Sequence, residues 1–146
     1  MGSGLFNIRV YGILINDQHE VLISDERANG LEFSKFPGGG LEYGEGLLEG
    51  LIREFREECD ADITVLKHIH TTDVFIKSAF DGSQVIAVYY LVRPETPLKG
   101  RFSDRPFDFA SKKITDQVFR WVPMGEMDAS VLTFETDRAA WKAFLS

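Results

Sequence analysis

Cysteine is nearly absent: Cys59 is the only one in 146 residues, so no internal disulfide can form and the fold must rest on packing. Long apolar runs are also missing. No stretch approaches the roughly 18 residues that span a bilayer, and the chain does not open with a basic segment followed by a hydrophobic one. No membrane partner and no secretion are therefore expected, and a reducing cytoplasm is the expected compartment. Positive charge is scarce, with 16 Lys and Arg against 23 Asp and Glu and a formal net charge of -7. That balance argues against non-specific binding to a nucleic-acid polymer, which needs a basic footprint to displace counterions. An acidic protein can still take a phosphorylated small molecule if a cation or a local basic patch meets the phosphate. No internal repeat is present.

With 44% hydrophobic and 27% charged residues, the chain lacks the low-hydrophobicity signature of disorder and should fold without a partner. A chain this long can bury roughly 68 to 70% of its unfolded surface in one core. Residues 5–146 are expected to form a single domain, and Met1 to Gly4 (MGSG) reads as a remnant of cloning.

β-branched and aromatic residues from Leu5 to Ile15 and from Glu20 to Ser24, separated by Asn16-Asp17-Gln18-His19, predict a hairpin. Phe33 to Phe36 predicts a short strand running into Pro37-Gly38-Gly39-Gly40, where a loop is expected. Between Glu45 and Cys59 the period changes to about 3.6, with Leu48, Leu51, Ile52, Phe55 and Cys59 on an apolar stripe. Ile63 to Phe75 and Gln84 to Val92 predict two strands around an Asp81-Gly82 turn. Val118 to Val122 predicts another strand, and Thr136 to Leu145 a closing helix with Ala139, Ala140, Ala143 and Phe144 at helical spacing. Strands, helix, strands, helix imply an α+β class with a mixed sheet. The segment from Pro94 to Thr115 is long, charged and proline-containing, which makes it the lid candidate.

Glu54, Glu57 and Glu58 stand at i, i+3 and i+4 on the central helix, so their carboxylates share one face and repel. One reading is a solvated face neutralised in part by Arg53 and Arg56. The other is a site for a hard divalent cation, which prefers oxygen ligands and bridges carboxylates to phosphates. The glycine turn just before the helix, Gly39 included, could bring its backbone close to the same cation and a phosphate.

Residues 39 to 61, GGLEYGEGLLEGLIREFREECDA, closely resemble the Nudix box of MutT-like hydrolases. The matching positions are Gly39, Glu45, Arg53, Glu54, Phe55, Glu57 and Glu58, and Phe36-Pro37-Gly38 resembles the family's approach to the box. Asp60 and Ala61 depart from it, standing where glycine and a larger apolar residue are usual. Asp can adopt the left-handed conformation that ends the helix, and Ile63 can supply the apolar contact.

The resemblance implies a Nudix-like α/β/α sandwich and a hydrolase cleaving a pyrophosphate linkage in a nucleotide-like small molecule. Glu54, Glu57 and Glu58, with the Gly38 carbonyl, would hold Mg²⁺ or Mn²⁺, and Glu45 and Arg53 would pair to fix the loop on the helix. The base would be Glu57 or Glu58, with Glu95 and Glu126 as later-loop candidates. Family members are often homodimers, to which Trp121 or Trp141 could contribute.

Arg27 and Lys35, flanking the glycine turn, are candidate phosphate contacts. So are Arg101, Arg105, Lys112 and Lys113, set among Phe102, Phe107 and Phe109. His68 and His70 alternate along a strand without a third ligand, which suits packing better than a metal pair. The competing function is a Nudix-fold module that binds a nucleotide or sugar nucleotide without turning it over.

Overall fold

A computed structural model describes residues 5–146; the reading of residues 1–4 lies outside the described residues. The elements are β1 (Phe6–Leu14), β2 (Glu20–Ala28), β3 (Leu31–Lys35), β4 (Gly38–Gly40), α1 (Leu47–Cys59), β5 (Ile63–Thr71), β6 (Gln84–Pro94), β7 (Asp116–Pro123), a 3-10 turn (Met124–Glu126) and α2 (Glu135–Leu145). No helix among the described residues is long and apolar enough to cross a membrane. The strands form two sheets, a mixed one in the order β4-β1-β6-β5 and an antiparallel one in the order β3-β2-β7.

Alternation along β1 divides the interior. Tyr11 and Ile13 join Val21, Ile23, Tyr89 and the α2 residues Ala140 and Trp141 in one core. Val10 and Leu14 join Leu22, Val92, Phe119 and the α1 residues Leu51, Phe55 and Cys59 in the other. Each helix thus covers its own core, and the result is the expected α+β sandwich.

The first expected hairpin is not one. Beyond a single bridge between Ile15 and Val21, β1 and β2 part into different sheets. Both carry consecutive buried residues, Val10 to Leu14 and Val21 to Asp25, as strands covered on two sides do. The tight hairpin is β2–β3, closed by Asn29-Gly30 with φ of 52° and 77°, the left-handed pair a two-residue turn requires. The glycine run is not a loop either: Gly38–Gly40 is an edge strand on β1. A Cβ on Gly38 would stand 2.1 Å from the Val10 carbonyl oxygen, so glycine is required for that approach.

Strand β5 stops at Thr71 rather than Phe75, because the Thr72 backbone and hydroxyl both bond the Ala87 backbone and end the ladder. In α1 the buried stripe is Leu51, Phe55 and Cys59, while Leu48 faces water. In α2 it is Asp137, Ala140 and Trp141, with Ala139 exposed. Asp60 ends α1 in the left-handed region (φ 47°, ψ 41°), and Ile63 packs in the α1 core, as the departures from the box led one to expect.

Candidate active site

The register of α1 decides how its acids are presented. Glu58 follows Leu51 by seven residues, nearly two full turns, so it borders the buried stripe. Glu54 lies on the same border, and only Glu57 reaches well into water, with 59% of its side chain exposed against 14% for Glu54. The three carboxylates do not converge. Among the described residues no three His, Cys, Asp or Glu side chains are gathered into a metal-holding group. Like charges at this spacing repel, and Glu58 takes a different partner from the other two.

Arg53 partners two of them. Its Nη1 lies 3.1 Å from a Glu54 oxygen and 3.2 Å from Glu57, while Nη2 donates to Glu45 at 2.6 Å and to the Gly40 carbonyl at 3.0 Å. The hydrogen bond from Arg53 holds the Glu45 carboxyl below its ordinary pKa. Glu45 in turn accepts from the Glu42 backbone. These bonds tie the loop before α1 to the helix. Arg56 does not serve the ridge, since it pairs with Asp62.

Glu58 turns inward. Its Oε1 accepts from Gln117 Nε2, and its Oε2 is out of water with no partner. Desolvation, aided by Glu26 and Glu54, pushes its pKa up to about 7 despite Lys35 and Gln117. The compensating cation is Lys35, whose Nζ pairs with Glu26 at 2.8 Å and donates to the Gly38 carbonyl at 3.1 Å. Burial opposes the Lys35 charge, but Glu26 and then Glu58 outweigh it and its pKa rises.

The strand register aims that carbonyl. Gly12 N donates to Pro37 O and Leu41 N to Ile8 O, so by antiparallel alternation the Gly38 and Gly40 carbonyls face away from β1. Gly39 lies under Glu54, where a Cβ would meet the carboxylate at 2.7 Å.

These residues suit a hard divalent cation. All the donors are oxygens, Glu58 Oε2 is an unpartnered acceptor, and the Gly38 carbonyl keeps a second lone pair beside its bond from Lys35. The Glu57–Arg53 pair is exposed and weakly holding.

Beside the ridge opens a cavity of about 650 Å³. Arg9, Tyr11, Glu26 and Lys35 line it, together with Phe33, Phe75, Phe80 and Phe134. A pocket of this size with apolar walls and a few placed polar groups suits a small-molecule ligand. Arg9, Tyr11, Glu26 and Gln117 were not singled out in the sequence. The alternation Asn7-Arg9-Tyr11 inside an apolar strand was a usable signal, whereas Glu26 and Gln117 gain meaning only from long-range pairing.

The NUDIX domain model matches residues 5–143. The chain belongs to the NUDIX domain family. Members of this family generally hydrolyse pyrophosphate linkages with divalent metals. No curated protein sequence matches the chain. Similar solved structures include the MutT protein from Methanosarcina mazei Go1 (TM-score 0.72, 18% identity, covering 99% of this chain and 97% of that one). Another is the E. coli ORF135 protein (TM-score 0.71, 19% identity, 99% and 92%). A third is a MutT NUDIX hydrolase from Burkholderia pseudomallei (TM-score 0.70, 16% identity, 94% and 97%).

In this Nudix fold the remaining candidates are dispersed. Arg27 is engaged elsewhere: it pairs with Glu32, donates to the Ser111 and Lys113 carbonyls and lies 4.4 Å from the Phe109 ring centroid. It fastens the 94–115 segment to β2. Asp25 fastens the same segment by accepting from Phe107 N, while it is itself buried against Arg120 at 2.8 Å. Phe102 stacks on Trp121. The lid candidate is therefore pinned at several points. Arg101, Arg105, Lys112 and Lys113 are exposed and do not line the cavity.

Glu95 accepts from Thr64 and Arg93, which lower its pKa. Glu126 lies past Pro123, at the end of β7 away from Gln117. A bulge between His68 and His70 sets them opposite Tyr90 and Tyr89, on different sheet faces, so they form no pair. Trp141 is core and Trp121 is half-buried.

Proposed function

We propose that this protein is a divalent-metal-dependent hydrolase that cleaves a diphosphate linkage in a nucleotide-like small molecule, such as a nucleoside triphosphate or a nucleotide sugar. The observation that carries the reading is the buried, unpartnered Glu58 oxygen on the Glu54–Glu57–Glu58 helix, with Lys35 joining the Gly38 carbonyl to the aromatic-walled cavity.

Glu54, Glu57, Glu58 and the Gly38 carbonyl would hold Mg²⁺ or Mn²⁺. When bound, such an ion neutralises phosphate charge and lowers the pKa of a water. Water attacks phosphorus, the bond to the bridging oxygen breaks, and the two halves leave, a nucleoside monophosphate with pyrophosphate from a triphosphate or with a sugar phosphate from a nucleotide sugar. Glu57 or Glu58 accepts the proton from the water. Gly39 lets the Glu54 carboxylate lie close against β4, and the Arg53–Glu45 clamp keeps the loop and helix in register. Of the basic residues expected from sequence to meet phosphate, Lys35 is the one at the cavity. The phenylalanines of the cavity would cover a base or sugar. The buried single thiol Cys59 suits a cytoplasmic setting.

The test is a product-release screen over nucleoside triphosphates, nucleotide sugars and dinucleotides with Mg²⁺ or Mn²⁺. At least one compound should be cleaved, and Glu57→Gln should cut turnover by about 100-fold or more while the protein stays folded. Tight nucleotide binding with no cleavage of any compound would instead establish a binding module.

A further inference from the structure

Two cations share one aromatic ring on the cavity floor. The Arg9 guanidinium carbon lies 5.6 Å, and the Lys35 ammonium 5.2 Å, from the Tyr11 ring centroid. Tyr11 is buried, and its hydroxyl accepts from Arg9 Nε. Like charges placed this close to a low-dielectric wall repel unless something negative lies between them. Glu26 makes its ion pair with Lys35, and it and Glu54 reach Arg9 only as charges at longer range. Among the described residues Arg9 makes no ion pair, although it is half-buried and lines the cavity. Its Nη1 lies along the floor near Gly40, where a Cβ would stand 3.6 Å away. That position is on β4, two residues from the Gly38 carbonyl. Cavity-lining charge adds up to Arg9, Lys35 and Lys77 against Glu26 and Glu135. A protein with a net charge of -7 thus concentrates positive charge at the border between the aromatic cavity and the acidic ridge.

We infer that Arg9 and Lys35, mounted on Tyr11, form a phosphate subsite independent of metal, which grips the phosphate that stays on the cavity-bound group after cleavage. The ligand class is an aromatic monophosphate of nucleoside-monophosphate type. A guanidinium donates two parallel N–H groups to phosphate oxygens, and the ammonium adds a third donor. The ridge then acts on the neighbouring phosphorus. This inference rests on the reaction proposed above but concerns binding, so the two can fail separately. Arg9 is a specificity-determining residue in this reading and takes no part in proton transfer.

Calorimetric titration in EDTA with the common nucleoside monophosphates and their parent nucleosides tests it. At least one monophosphate should bind about tenfold or more tightly than its own nucleoside, as expected for a charge-assisted contact. Arg9→Met should abolish that gap, and Arg9→Lys should restore part of it. If Arg9→Met does not fold by circular dichroism, Tyr11→Phe, which keeps the ring but removes the acceptor for Arg9 Nε, should narrow the gap. Equal binding of nucleoside and monophosphate, or a gap that survives Arg9→Met, overturns the subsite. A gap without turnover of any diphosphate compound keeps the subsite and sinks the proposed reaction. Turnover without a gap does the reverse.

Discussion

Gly39 and Asp137 show how single positions carry the site and limit stability. A Cβ on Gly39 would press on the far end of the flexible Glu54 side chain, so the carboxylate, not the backbone, must move. Gly39→Ala should therefore melt close to the wild type, while its Mn²⁺ affinity in an isothermal titration falls by about tenfold. Unchanged affinity would mean that Glu54 does not need its seat on Gly39.

Asp137 is buried under Tyr89, whose hydroxyl donates to it, and desolvation raises its pKa from 3.8 to about 6. The folded state then holds a proton that the unfolded state has lost, so its stabilising contribution is full below about pH 4 and is lost as the pH rises through 6. A shift of this size corresponds to something on the order of 3 kcal/mol. Asp137→Asn cannot ionise, and its melting temperature should gain on the wild type between pH 4 and 7. A gap that stays constant across that range would contradict the assignment.

Among the elements, α1 was the most legible in the sequence, because its acidic ridge is set by spacing within one helix. The helix exit at Asp60 was readable for the same reason. Contacts between distant segments were not. Gln117 reaches Glu58 across 59 positions, and nothing local marks either for the other. The edge strand β4 is hidden because a glycine run carries no side-chain period, and the β2–β3 hairpin is marked locally only by Asn29-Gly30, while the apolar runs on either side of Asn16–His19 point to a β1–β2 pairing that the sheets do not make.

The 94–115 segment was legible as irregular, while its attachments were not, since they run through Asp25, Arg27 and Arg120 on other strands. Removing Asp25 would leave Arg120, with 11% of its side chain exposed, without its carboxylate. Asp25→Ala should cost about 3 to 5 kcal/mol in urea denaturation. A loss below about 1 kcal/mol would show that the segment does not depend on this pair.

At the scale of the whole molecule, two sheets with a helix on each side bring together groups that the chain keeps far apart. β1 contributes Arg9 and Tyr11, the β2–β3 hairpin Glu26 and Lys35, and α1 the three glutamates. The aromatic cavity and the acidic ridge thus meet along the short strand Gly38–Gly40. The proposed binding on one side and cleavage on the other would follow from that junction once the ridge takes a divalent ion. Titration of Mn²⁺ followed by electron paramagnetic resonance, on the wild type and on Glu58→Gln, examines that condition most directly. The expected result is saturable binding by the wild type, weakened about tenfold or more in Glu58→Gln, with both proteins folded. Equal affinity in the two, or no binding by either, would contradict the assignment of the ridge.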